Sequence, residues 1–320
     1  MIVLITGATG RIGQDVTRHL LAAGARVRVL TRRPHRAREL FADHTEIFEW
    51  HSKSEPVPAP ASTGIDMLVH LMGEPLVTPP AGPDHAKRIR DSRVAPTRAL
   101  AEALADRPVR WIVASCAGIY PDAEGGETSE LIPLAPPKSD LQALFHDVEL
   151  AAAEARHAGS TVATLRLGLM LAPNGFPDML LQTCKRGMGL RIGSGAEWVP
   201  TITPADAARM VLWLIADPKI DGPINAVAPT LFTTADLRRT MSAATGKSHR
   251  LKAPNWLLRR ALGLGAEMLR RRDCLVPVRA QAAGFVFSQP DANATLSTLL
   301  PARVEATSSQ RMNLRAPAKV

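Results

Sequence analysis

The chain has 320 residues, 46% of them hydrophobic and 22% charged, enough for one large domain or two closely packed ones. A mean hydropathy of −0.01 excludes a disordered chain, and no apolar run reaches the ~18–20 residues of a membrane span. The net charge of +9 (39 basic against 30 acidic residues) leaves an anionic partner open, while Cys116, Cys184 and Cys274 have neither disulfide nor zinc spacing.

Residues 2–6 form an apolar, β-rich run; a strand at that point leaves no room for a cleavable leader, and a cytoplasmic protein is expected. Residues 11–23 carry Ile12, Val16, Leu20 and Ala23 at helical spacing. Residues 25–31 and 47–50 read as strands, 51–63 as a proline-rich surface connection, 66–71 as a strand and 84–105 as one long helix. A strand at 109–114, a helix over 140–157 and a strand at 161–167 follow. Strands alternating with helices predict an α/β fold, a Rossmann-type doubly wound parallel sheet with helices on both faces. Beyond Gly168 the rhythm loosens into glycine-rich turns at 186–195, a helix over 204–216 and a short strand before 225–229.

Between the first strand and the first helix stands Gly7-Ala-Thr9-Gly10-Arg11-Ile12-Gly13. The first glycine permits a tight turn, the second lets backbone approach a pyrophosphate, and the third lets the helix pack close to the sheet. The helix N-terminus then offers free N–H groups to phosphate, so residues 7 and 9–13 are candidate cofactor-binding positions. An NAD site places a carboxylate at the end of the second strand; this chain has Leu30-Thr31-Arg32-Arg33 there. Arg32 and Arg33 suit the 2′-phosphate of NADP(H), with Arg11 placed to assist; the plainer alternative is a solvated loop. The expected domains are 1–175 for NADP(H), 176–303 for a smaller C-terminal substrate-side lobe with a basic helical region, and 304–320 for a flexible polar tail.

Further along come Val69-His-Leu-Met72-Gly73-Glu74-Pro75, Lys87-Arg-Ile-Arg-Asp-Ser92-Arg93 with Thr97, and Ala114-Ser115-Cys-Ala-Gly-Ile-Tyr120. Leu165-Arg-Leu-Gly168, Pro173-Asn-Gly175, Asn225-Ala-Val-Ala-Pro229 and Ala283-Gly-Phe-Val-Phe287 complete the series. In order and spacing these resemble the short-chain dehydrogenase/reductase superfamily, and within it the YfcH-type atypical extended, epimerase-like branch with its own C-terminal helical domain. The resemblance implies that Met72 and Gly73 border the nicotinamide and that Ser115 ends the active-site strand. Two departures stand out: Met72 replaces a small alanine, and Thr201-Ile-Thr203 replaces Trp-Ile-His.

The superfamily's usual chemistry needs a tyrosine and, four residues on, a lysine that lowers its pKa. No Tyr-x-x-x-Lys occurs: Tyr120 is the sole tyrosine, Glu124 follows it by four, and the relevant helix offers Leu141, Phe145 and Glu149. Two readings follow. One is an oxidoreductase or epimerase-like enzyme acting on an unidentified small molecule, with Ser115 polarising a carbonyl, Tyr120 beside it, and Glu74, Lys87 or His146 as acid or base. The other is a non-catalytic NADP(H)-binding regulatory protein. Against each candidate stands a structural role: Ser115 as a cap, Tyr120 as packing, Glu74 as a turn residue, His146 on a solvated face and Cys116 as a buried small hydrophobe. No cluster has metal-ligand spacing, so no metal is expected.

Residues 250–272 hold seven basic side chains against Glu267, and so +6 of the chain's +9. Interleaved Trp256, Leu257, Leu264 and Met268 make the segment read as a basic amphipathic helix. Packing on the core with solvated arginines outside is the plain interpretation; an adaptor contact with an anionic surface is the alternative. No helix-turn-helix, zinc, RRM or KH pattern supports nucleic acid.

Overall fold

In the computed structural model, residues 1–77, 82, 84–121, 123, 125–185, 190–247, 251–252 and 254–300 are described. Seven parallel strands form the central sheet: β1 (Ile2–Thr6), β2 (Arg26–Thr31), β3 (Thr45–Glu49), β4 (Met67–His70), β5 (Arg110–Cys116), β6 (Thr161–Leu167) and β7 (Gly222–Ala226). Their order is β7-β6-β5-β4-β1-β2-β3, so the chain winds one way from β1 to β3 and then reverses through β4. Helices α1 (Arg11–Ala22) and α2 (Pro34–Phe41) belong to the first winding, and α3 (His85–Asp91), α4 (Val94–Ala103) and α5 (Asp140–Ala153) follow the reversal. Later come α6 (Phe176–Lys185), α7 (Pro204–Ala216), α8 (Thr234–Thr245), α9 (Asn255–Leu262) and α10 (Ala292–Leu299).

Alternation along the strands divides the core. Val3 and Ile5 face α1 and α7, where Ile12, Val16 and Leu20 meet Ala207, Met210, Val211 and Leu214. Leu4 and Leu68 face the other way, toward Leu100, Leu144 and Val148 of α4 and α5. Helix α1 stops where Gly24 takes a left-handed conformation (φ 76°), and the Ala25 and Gly24 N–H groups donate back to the Leu20 and Leu21 carbonyls.

Two expectations are corrected. The long helix over 84–105 is two helices meeting at Ser92–Arg93, because Pro96 has no N–H to donate to the Ser92 carbonyl and sits instead in the first turn of α4. From beyond residue 175, β7 pairs with β6 and α7 packs on α1. Nor is 250–272 one helix. Gly263 ends α9 with φ 58°, Gly263–Leu269 continues as 3-10 turns, and Arg271 is buried beside Asp273 at 2.6 Å. Arg250 and the tail 304–320 lie outside the described residues. No helix among those described is long and apolar enough to cross a membrane.

Candidate functional site

At the carboxyl edge of the sheet, where the winding reverses between β1 and β4, lies a cleft of about 630 Å³. Its floor is the β1–α1 turn. Gly7 has φ 73°, and a Cβ there would lie 2.7 Å from the Leu71 carbonyl carbon. A Cβ at Gly13 would lie 2.7 Å from the Ala8 Cα, so both glycines are fixed by backbone packing. Gly10 precedes α1 with no side-chain cap, which leaves the first-turn N–H groups of α1 for an outside acceptor. A bare glycine cradle under an uncapped helix start fits the pyrophosphate of a dinucleotide.

Of the residues singled out in the sequence, Gly7, Thr9, Gly10, Arg32, Arg33, Met72 and Gly73 line this cleft together. Ile12 and Gly13 are buried beneath it. Arg11 is turned elsewhere: its guanidinium donates to the Pro173 and Asn174 carbonyls, the latter at 2.8 Å, and so ties the glycine turn to the loop after β6. Trp50, His51, Ser52, Lys53 and Ser54 also line the cleft beside Arg32 and Arg33. In the sequence these four polar residues belong to the proline-rich surface connection over 51–63; position is what marks them, since β3 lies next to β2 and delivers its following loop to the same end.

Ser115 and Tyr120 belong to a different assembly. Parallel register aligns Ser115 with Arg166 and Arg166 with Asn225 across β5, β6 and β7. Glu149 of α5 closes the row: it accepts from the Ser115 hydroxyl at 2.6 Å and from Arg166 Nε and Nη2 at 2.9 and 2.7 Å. Arg166 also donates to the Tyr120 hydroxyl at 2.7 Å, which in turn donates to Asn225 Oδ1 at 2.9 Å. Burial pushes the Tyr120 phenol up to about 12 against the pull of Arg166. Arg166, despite its burial, is held above its ordinary value by Glu149. Neither Ser115 nor Tyr120 lines the cleft; Glu74 does. Lys87 is exposed and paired with Asp91 at 2.7 Å, and His146 is half-buried on α5. Cys116, Leu141 and Phe145 are core side chains, and burial pushes the Cys116 thiol up to about 12.

Under the glycine turn, His70 is fixed as a neutral ring. Thr97 donates to the Arg93 carbonyl at 2.7 Å and accepts from His70 Nε2 at 3.0 Å, so His70 Nδ1 accepts from the Thr6 hydroxyl at 2.7 Å. Burial, reinforced by the Arg93 charge, brings His70 down to about 3.

Comparison with known proteins places this geometry. The sequence model of the NAD dependent epimerase/dehydratase family matches residues 3–226. Epimerase family protein YfhF of Bacillus subtilis is 28% identical over 310 residues, 95% of this chain and 99% of its own. The crystal structure of the human epimerase family protein SDR39U1 (isoform 2) with NADPH superposes with a TM-score of 0.73 at 25% identity, covering 94% of this chain and 99% of that one. UDP-glucuronic acid 4-epimerase of Bacillus cereus, with NAD, shares the fold at 17% identity and a TM-score of 0.71, over 94% and 99% of the two chains.

Proposed function

The chain belongs to the NAD dependent epimerase/dehydratase family, and from that premise we propose that it is an NADP(H)-dependent oxidoreductase or epimerase-like protein acting on a small molecule. The observation that carries the choice of cofactor is the end of the cleft beyond β2, where Arg32 and Arg33 stand with His51 and Lys53, while Glu74, the one carboxylate of the described lining, lies in the segment after β4. A 2′-phosphate is a doubly charged acceptor, and guanidinium forks bind it with charge-assisted hydrogen bonds. The glycine turn and the first turn of α1 would hold the pyrophosphate, and the strand-end segment Leu71–Pro75 would border the nicotinamide. When bound, nicotinamide supplies hydride at its C4 carbon. Within this reading the chain's own work is to bind and orient: no tyrosine with a lysine four residues on is present to pass the accompanying proton.

Titration of the pure protein with NADPH and NADH, read by cofactor fluorescence, tests the assignment. NADPH is expected to bind more tightly, and replacing Arg32 and Arg33 with alanine to weaken it by about 10–100-fold while sparing NADH. Tighter binding of NADH to the wild type overturns it. A second reading, a non-catalytic NADP(H)-binding protein, is favoured by one observation: Ser115 and Tyr120 are both engaged in the Glu149–Arg166 network. Bound NADPH that stays reduced across a carbonyl and sugar-nucleotide panel, with Ser115→Ala changing nothing, would select that reading.

A further inference from the structure

We infer that the Arg93 guanidinium is a carboxylate-binding group beside the cofactor cleft, so that the small molecule taken there is a carboxylic acid; this rests on the cofactor reading above. Arg93 occupies the break between α3 and α4, next to Ser92, which lines the cleft. Its planar group lies against Gly73: a Cβ built on that glycine would stand 2.5 Å from Arg93 Cζ, 2.7 Å from Nη2 and 2.8 Å from Nε. Three such similar distances describe a guanidinium presenting its face to the Gly73 backbone. On another side the Phe145 ring centroid is 5.6 Å from Cζ. One face of the plane thus lies on Gly73, while its edge is largely unused.

The edge is what matters for recognition. Among the described residues no carboxylate lies within 4 Å of Arg93, and its side chain makes two long contacts, both from Nη1, to the Ile89 carbonyl and Ser92 Oγ at 3.4 Å. Nε and Nη2 have no protein partner, and neither is among the sealed, unpartnered polar atoms of the described structure, so each keeps some exposure. Nε and Nη2 form the side-on fork whose spacing matches the two oxygens of a carboxylate. The neighbourhood supplies no compensating charge at contact. The Cys116 thiol is neutral at ordinary pH, His70 is neutral, and Glu74 acts on Arg93 through space while its backbone N–H is held by Ser92 Oγ at 2.9 Å. Burial brings Arg93 down to about 10, so it keeps its charge at neutral pH. A half-buried cation lacking a paired anion is costly, and a ligand that supplies one recovers that cost. One guanidinium balances a monoanion, which favours a carboxylate over a phosphate.

The test uses propionate, its neutral isostere propionamide, and inorganic phosphate, titrated by calorimetry into the NADPH-loaded full chain at constant ionic strength. Propionate is expected to bind about tenfold or more tightly than either of the others. Arg93→Lys keeps the charge and loses the fork, and is expected to weaken propionate about tenfold; Arg93→Met is expected to abolish its binding. Both variants should hold NADPH within about threefold of wild type. The inference is overturned if propionate binds no better than propionamide, if phosphate binds more tightly, or if Arg93→Lys binds propionate as well as the wild type does. It is also overturned if folded Arg93→Lys loses NADPH, since the guanidinium would then serve the cofactor's own phosphates. Should the wild type bind no NADPH, the cofactor reading fails, and the same titrations on the cofactor-free chain decide the role of Arg93.

Discussion

Gly10 and Gly13 share a turn but are needed for different reasons, and substitution separates them. A Cβ on Gly13 would meet the Ala8 Cα at 2.7 Å, backbone that has nowhere to go, whereas the nearest atom to a Cβ on Gly10 is the Gly7 carbonyl oxygen at 3.1 Å. Gly13→Ala is therefore expected to cost about 1–3 kcal/mol in urea denaturation as α1 is pushed off the sheet. Gly10→Ala is expected to keep most of that stability and to lose NADPH affinity, because its methyl would enter the space where a pyrophosphate meets backbone. Equal losses of stability in the two variants would contradict this division. Tyr120 makes the opposite case, a conspicuous residue with a structural task. Tyr120→Phe leaves Arg166 Nη1 and Asn225 Oδ1 each short of a partner and is expected to cost about 1–3 kcal/mol, with NADPH affinity unchanged. A variant of unchanged stability that lost turnover would return the phenol to the chemistry.

Elements differ in how much of them the sequence disclosed. The β1–α1–β2 unit was legible because an unbroken apolar run over residues 2–5 gives way to Ile12, Val16 and Leu20 at a spacing of four. The Ser115–Glu149–Arg166–Tyr120 assembly was not, since its members come from two strands, a helix and a loop and meet only through the parallel register. The basic segment misled for a related reason. Its spacing suits a helix, but Gly263 and Gly265 are set by what lies across from them: a Cβ at either would come within 2.5 Å of His85 Nδ1 or Val77 Cγ2. Glu197, two residues after the turn at Gly193–Gly195, also depends on distant partners. Burial alone would raise its carboxyl, but the Ser194 and Gly195 N–H groups and the Thr234 hydroxyl at the start of α8 bring it from 4.5 to about 2. A depressed carboxyl stabilises fully above its ordinary value and loses that contribution as pH falls toward the folded one. The stability gap between wild type and Glu197→Gln is thus expected to be largest near about pH 7 and to shrink by about pH 3, followed by urea denaturation at both. A gap that widened in acid would show that the turn does not hold the carboxylate charged.

At the scale of the whole molecule, the two halves of the chain share one sheet and one core. The chain leaves the sheet after β6, passes through α6 and α7, and returns to lay β7 along the outer edge of β6, with Ala226 paired to Leu167. Helix α7 then covers α1, and its first turn is itself fastened from the far end of the chain. Asp206, fully buried, accepts from the Ser288 N–H and hydroxyl at 2.7 Å and from the Gln289 N–H at 2.9 Å. A fragment ending at residue 175 would keep every described residue that lines the cleft and yet lose this cover. Met210, Val211 and Leu214 are fully buried against the face that holds Val16 and Leu20. Burying three such side chains contributes together about 5–9 kcal/mol, comparable with the about 5–15 kcal/mol that separates a folded domain from its unfolded chain. The fragment is therefore expected to show no cooperative thermal transition and no NADPH-dependent rise in melting temperature, while the full chain shows both. A soluble, cooperatively folded 1–175 fragment that bound NADPH would mean that the cofactor half is autonomous and that β7 and α7 are accessory to it.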